Sequence, residues 1–224
     1  MEIDRTLKTM ATEGCKGFDC SPLCLETLDR WQSPAPSAII NLETIRRELG
    51  TCQRCALAGQ RQHIVFGAGS SDARLVFVGE GPGYEEDRQG LPFVGAAGQL
   101  LTKIIAAIKL NREDVYICNI VKCRPPENRN PAPEEITACF PFLKKQLTAI
   151  QPEFICALGS FAAQTLLNTS APISRLRGSF HDYQGIKVLP TYHPAYLLRN
   201  PAKKRDVWAD MQMLMQAMGT PLDE

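Results

Sequence analysis

The sequence predicts an α/β protein: a parallel sheet of four buried strands covered on both faces by helices. Three observations carry this. Apolar runs of strand length recur along the chain, amphipathic runs of helix length lie between them, and the least ordinary residues gather just after the strands, where the functional loops of a parallel sheet fall.

The regular pattern starts near Asn41. Leu42, Ile45 and Leu49 recur at helical spacing, and the run stops at Gly50, directly before the first cysteine pair. Arg74-Leu-Val-Phe-Val-Gly79 is an apolar run closed by glycine and reads as the first strand; Asp114 to Val121, Phe154 to Leu158 and Lys187 to Leu189 are the other three. Leu100, Leu101, Ile104, Ile105 and Ile108 mark a helix over Gln99 to Ile108. Pro133-Glu-Glu opens a second helix that runs to Ile150, a third covers Ser160 to Leu167, and an amphipathic stretch from Ala202 to Met218 closes the pattern. Residues 1 to about 40 mix Cys, Ser, Pro and charge and end in Ser33-Pro-Ala-Pro-Ser37, which reads as a flexible extension and linker.

With 224 residues, 44% of them hydrophobic, the chain can bury a full core in one domain of about 170 residues. No apolar run approaches the ~20 residues that span a bilayer, and the polar N-terminus lacks a secretory apolar stretch, so a cytoplasmic protein with no membrane partner is expected. A monomer is the default. The formal net charge of +1 gives no global pull toward nucleic acid, so such binding has to come from local clusters. One lies between Ser174 and Arg205, where seven basic residues face a single acid, Asp182.

Nine cysteines in a chain of this kind point to metal ligation rather than to a disulfide framework. Cys52 and Cys55 can bite one metal site from a single turn, and Cys123 and Cys139 can close it from elsewhere; the spacing accommodates zinc as well as an iron–sulfur cluster. Cys15, Cys20 and Cys24 form an incomplete set in the extension.

Three loops carry the chemistry. Gly79-Glu-Gly-Pro-Gly83 follows the first strand; it lacks the third glycine of a dinucleotide fingerprint and the Gly-Lys-Ser/Thr of a phosphate loop, yet lets backbone approach a flat or anionic ligand, with Glu80 and Phe93 as polar and stacking contacts. Cys118-Asn-Ile-Val-Lys-Cys-Arg-Pro-Pro126 ties the next strand to the cysteine set. Thr191-Tyr-His-Pro-Ala-Tyr-Leu-Leu-Arg199 ends the last strand.

In this order, Gly-Glu-Gly-Pro-Gly, Leu-Pro-Phe-Val-Gly-x-Ala-Gly-Gln-Leu-Leu, Asn-Ile-Val-Lys-Cys-Arg-Pro-Pro-x-Asn-Arg and Tyr-His-Pro-Ala-Tyr-Leu-Leu-Arg resemble the family-4 uracil-DNA glycosylases, over about Leu42 to Met218. The resemblance implies the three-layer α/β/α sandwich of that superfamily around a four-stranded parallel sheet, a glycosylase domain over 41–218, and release of uracil from single- or double-stranded DNA to leave an abasic site. It implies a 4Fe–4S cluster on Cys52, Cys55, Cys123 and Cys139, with a structural role. It also implies that Phe93 stacks on the extruded base, Asn119 reads its edge, and His193 donates to uracil O2 as negative charge develops there. Leu197 matches the wedge that fills the vacated stack, with Tyr196 and Arg199 flanking it on the DNA.

One position departs from the most active superfamily members, which carry Asp where Gly81 stands. Glu80 is then the candidate to orient the attacking water, and Glu86 the candidate to exclude the thymine methyl. A lyase would need an amine at the sugar, and Lys122 is the lysine within the three loops. The competing function is a non-catalytic iron–sulfur module that binds uracil-containing DNA or a polymerase. Family members that trap DNA covalently carry a basic insertion where this chain has Cys-Arg-Pro-Pro-Glu-Asn-Arg-Asn-Pro, which favours turnover.

Overall fold

The computed structural model describes residues 41–220. The expected extension over 1–40, with Cys15, Cys20 and Cys24, lies outside the described residues. Among the described residues no helix is long and apolar enough to cross a membrane.

The four expected strands are present as β2 (Leu75–Gly79), β3 (Tyr116–Asn119), β4 (Phe154–Leu158) and β6 (Ile186–Thr191). They run parallel, in the spatial order β3-β2-β4-β6. Two short strands extend the sheet to six: β1 (Ala68–Gly69) pairs antiparallel with β3, and β5 (His181–Tyr183) pairs antiparallel with β6. The four-stranded expectation thus describes the parallel centre, and the edges are additions. At two and three residues they are too short to show a period, and β5 is a polar His-Asp-Tyr.

Every residue of β2 and β4 is buried, as expected for strands covered on both faces. The pleat sends alternate residues to opposite sides. Val76, Val78, Cys118, Ile155, Ala157 and Val188 join one core, with Leu143 and Leu147 of α4 (Pro133–Ile150) and Ala162 and Leu166 of α5 (Ser160–Leu167). Leu75, Phe77, Ile117, Cys156 and Leu189 join the other, with Leu101 and Ile105 of α3 (Ala96–Ala107) and Met211 and Leu214 of α8 (Lys204–Met218). Burying a side chain of this size contributes about 1.5–3 kcal/mol, so two such cores hold the three layers together. The first helix, α1 (Leu42–Leu49), begins with an Asn41–Thr44 capping box and packs Ile45 and Leu49 on Phe66 and Phe142.

Three short helices go beyond the sequence reading: α2 (Tyr84–Gln89) and α7 (Pro194–Arg199) fall in segments read as loops, and α6 (Ile173–Leu176) in a segment given no element. None spans two full turns, so none displays an apolar stripe. Asp87 is the buried residue of α2, and it accepts from the Gln62 and His63 amides at 2.9 and 3.2 Å, which fixes the helix to an earlier loop.

Two buried polar groups set the strand ends that matter later. Lys122 is fully buried; its Nζ donates to the Asn119 carbonyl at 2.8 Å and to Gln146 Oε1 at 2.6 Å. Asp210 of α8 accepts from Thr191 Oγ1 at 2.6 Å and from Arg177 Nη2 at 2.8 Å, which ties the end of β6 to the last helix. Burial pushes the Asp210 carboxyl up against the pull of Thr191 and Arg177, the expected cost of an ion pair taken out of water.

Candidate active site

The parallel strands end level. Gly79 pairs with Asn119 across β2 and β3, and Leu158 pairs with Thr191 across β4 and β6, so the loops that follow share one edge of the sheet. A pocket of about 400 Å³ opens there. Glu80, Gly81, Glu86, Phe93, Asn119 and His193 all line it, with Tyr196 and Arg199 farther along the same wall.

Asn119 forms the floor. It is 1% exposed, and its Oδ1 is buried without a hydrogen-bond partner. A buried acceptor left open costs about 1–3 kcal/mol, so the site is built to receive a donor. The Phe93 ring lies beside it: a side chain at position 79 would come within 2.6 Å of Phe93 Cζ and collide with Asn119 Oδ1. Only glycine lets the two groups close over the strand end.

His193 faces Phe93, with ring centroids 5.6 Å apart. It is the N-cap of α7, and its Nδ1 accepts from the Ala195 amide at 3.1 Å. Burial, helped by Arg199 and opposed by Glu86, lowers its pKa to about 4. The imidazole is therefore neutral near pH 7, and because Nδ1 is an acceptor the single ring proton sits on Nε2. The site thus holds a neutral donor that costs no charge to bury.

The two acids differ. Burial pushes the Glu80 carboxyl up to about 7, so it exchanges protons near neutral pH. Glu86 is occupied by backbone: Oε1 accepts from the Val94 and Gly95 amides, each at 2.9 Å, and Oε2 accepts from the Gly83 amide at 3.1 Å. That commitment makes Glu86 a brace between the first loop and the Phe93 segment rather than a free group for sensing a methyl. A side chain at Gly81 would come within 2.8 Å of Val121 Cγ2, so an acid there would require Val121 to shift.

Leu197 is not where the sequence reading put it. It is 1% exposed and packs in the core shared by α3 and α8, whereas the next residue, Leu198, is 47% exposed. Two adjacent leucines look alike in sequence; the phase of α7 separates them. Lys122 is also accounted for, since its amine is spent beneath Asn119 and is absent from the pocket lining. The reading gave no role to Pro125, Asn128, Arg129 and Asn130, which also line the pocket. Glu127 and Asn128 are successive non-glycine residues at φ 54° and 55°, and Arg129 pairs with Glu135 at 2.7 Å. Asn after Pro-Pro-Glu was the available signal, because Asn tolerates that conformation.

The four cysteines lie on two neighbouring cores. Cys55, Cys123 and Cys139 share one core cluster, and Cys52 borders the small core under α1. Burial pushes the Cys123 thiol up to about 11, with the Cys139 and Cys55 thiols adding to the rise, and burial raises Cys139 with contributions from Cys55 and Cys52. Arg61 Nη1 donates to Cys123 Sγ at 3.4 Å and the Lys122 amide to Cys139 Sγ at 3.3 Å. Among the described residues no group of three or more histidine, cysteine or acidic side chains is set to hold a single metal ion.

The model of the uracil DNA glycosylase superfamily matches residues 66–212. A type-4 uracil-DNA glycosylase of Archaeoglobus fulgidus is 43% identical over 187 residues, 80% of this chain and 94% of the relative. One of Thermotoga maritima is 49% identical over 161 residues, 71% and 84% of the two chains, and one of Saccharolobus solfataricus is 42% identical over 189 residues, 80% and 88%. Together with a pocket that joins the three loops at one sheet edge, these likenesses establish that the chain belongs to the uracil-DNA glycosylase superfamily, in its type-4 branch.

Proposed function

We propose that the chain is a monofunctional uracil-DNA glycosylase that hydrolyses the N-glycosidic bond of deoxyuridine in DNA, acting as a cytoplasmic monomer on single- or double-stranded substrate. The observation that carries this reading is the meeting of an unpartnered Asn119 Oδ1, the Phe93 ring and a neutral His193 in one pocket.

Uracil stacks on Phe93. Asn119 Oδ1 accepts from uracil N3–H and its amide donates to O4, whereas cytosine presents the reverse pattern and leaves both pairs mismatched, at about 1–3 kcal/mol per unsatisfied group. As the bond from N1 to the sugar breaks, charge collects on uracil O2, where His193 Nε2 donates. Water adds to the sugar carbon and gives its proton to the Glu80 carboxylate. Among the described residues no lysine lines the pocket, and Lys122 is held under Asn119, so no amine is offered there for a lyase step. Leu198, exposed beside Arg199 and Tyr196, is the residue of α7 suited to wedge into the duplex.

The chemistry of the donor set suits a 4Fe–4S cluster: Cys55, Cys123 and Cys139 pack on one core and Cys52 on the small core beside it, and Cys123 and Cys139 already receive N–H···S bonds of the kind common on cluster ligands. When bound, the cluster would supply no step of the hydrolysis; it would clamp the chain that enters the domain to the loop carrying Asn119.

Incubation with a labelled uracil-containing oligonucleotide followed by alkali gives strand breaks at uracil; a shifted band without breaks identifies a binder instead. His193→Ala lowers kcat by about 10²–10³-fold with DNA binding kept, and an unchanged rate removes His193 from the mechanism. The wild-type rate rises with pH through about 7 as Glu80 ionises and shows no separate histidine limb above its value of about 4. Glu80→Gln abolishes that rise, and a flat wild-type profile excludes Glu80 as the base. Leu198→Ala costs more on duplex than on single strands, since flipping a paired base takes a few kcal/mol; equal losses on both would exclude the wedge. The purified protein absorbs in the visible and contains roughly four irons per chain, whereas a colourless zinc protein would overturn the cluster assignment.

A further inference from the structure

Phe93 is a bulky residue in a conformation that bulky residues avoid. Its φ is 52°, in the left-handed region, and its side chain is 6% exposed. The turn that holds it is gripped by two opposite charges. Arg112 donates from Nη2 to the Pro92 carbonyl at 2.9 Å and from Nη1 to the Phe93 carbonyl at 3.1 Å, while Glu86 accepts the next two amides, of Val94 and Gly95, at 2.9 Å each. Arg112 Nη1 also donates to Thr102 Oγ1 at 3.1 Å, and Thr102 in turn donates to the Gly98 carbonyl at 3.1 Å, so the guanidinium is fastened to α3. At Gly98 itself any side chain would strike the Phe93 carbonyl, which presses the turn against that helix.

We propose that Arg112 is a positioning residue: with Glu86 it clamps the 92–95 turn and keeps the Phe93 ring in the orientation that receives the base. Arg112 lies outside the active pocket and lines a separate cavity of about 300 Å³ behind the turn, so it acts through Phe93. Burial pulls its guanidinium below the usual range, with Glu113 offsetting part of that. A cation placed at such a cost, with these hydrogen bonds ending on neutral oxygens, serves the geometry of the carbonyls it binds. The planar fork holds the two carbonyls of successive residues in one fixed geometry, where the rotatable ammonium of a lysine on its flexible stem would fix them less firmly.

This proposal rests on Phe93 being the stacking surface, and a double-mutant cycle separates the two ideas. The kcat and KM for a single-stranded uracil oligonucleotide are measured for wild type, Arg112→Met, Phe93→Ala and the double variant. Arg112→Met is expected to lower kcat/KM by about 10-fold, carried more by KM than by kcat, and to add no more than about twofold once Phe93 is Ala. Wild-type kinetics for Phe93→Ala would sink the stacking reading. A full Arg112→Met loss persisting in the Phe93→Ala background would sink the clamp alone. So would a lowered unfolding midpoint with unchanged kcat/KM. If Arg112→Met fails to fold, Arg112→Lys takes its place in the same cycle, with an intermediate loss expected and the same persistence overturning the proposal.

Discussion

Where β2 and β3 run out side by side, Gly79 stands opposite Asn119, and the absence of a side chain there lets the Asn119 amide and the Phe93 ring meet over the strand end. The rest of the pocket is arranged around that contact. The ladder continues past the strands, with the Ile120 amide bonded to the Gly79 carbonyl at 2.9 Å and the Val121 amide to the Glu80 carbonyl at 3.1 Å, so the two loops leave the sheet together. Lys122 then pins the Asn119 carbonyl from below. An amide held this firmly can present an open acceptor without collapsing onto a neighbour, which is the condition for reading a base by its hydrogen-bond pattern.

The electrostatics follow from burial rather than from charge pairing. His193 is kept neutral by desolvation and keeps its proton on Nε2 because the first turn of α7 occupies Nδ1. Glu80 is raised by the same desolvation. Desolvation thus prepares a neutral donor and a weakly acidic carboxyl in the same pocket, the kind of preorganised setting in which little solvent has to reorganise when charge develops. The charged groups that are paired serve structure: Glu86 braces the 83 and 94–95 amides, Glu135 holds Arg129 and caps α4, and Asp210 fixes the end of β6.

The cysteine region and the catalytic loops are one mechanical unit. Cys123 follows Asn119 by one turn of chain, and the Val65 amide bonds the Lys122 carbonyl at 2.8 Å, so the segment after Cys55 is stitched to the same loop. Whatever stiffens the four thiols also stiffens Asn119. The pocket residues Pro125, Asn128, Arg129 and Asn130 follow Cys123 directly in the chain.

Much of this was legible in the sequence, because the signals were periodic or chemical. Four buried strands and the helices over Pro133–Ile150 and Ser160–Leu167 declared themselves by unbroken apolar runs and helical spacing, and the three loops by their glycines, Asn119 and His193. The helices of six residues or fewer and the edge strands did not, since they are shorter than the period that would reveal them. Nor could residue types alone tell Leu197 from Leu198, show that both oxygens of Glu86 are spent on backbone, or connect Arg112 to Phe93 across 19 positions. Composition and order along the chain determined which chemistry the protein carries and on which kind of scaffold. Which side chain of each pair faces the ligand, and which charge braces which loop, was decided only in the folded state, where helix phase, strand register and burial depend on contacts between residues far apart in sequence.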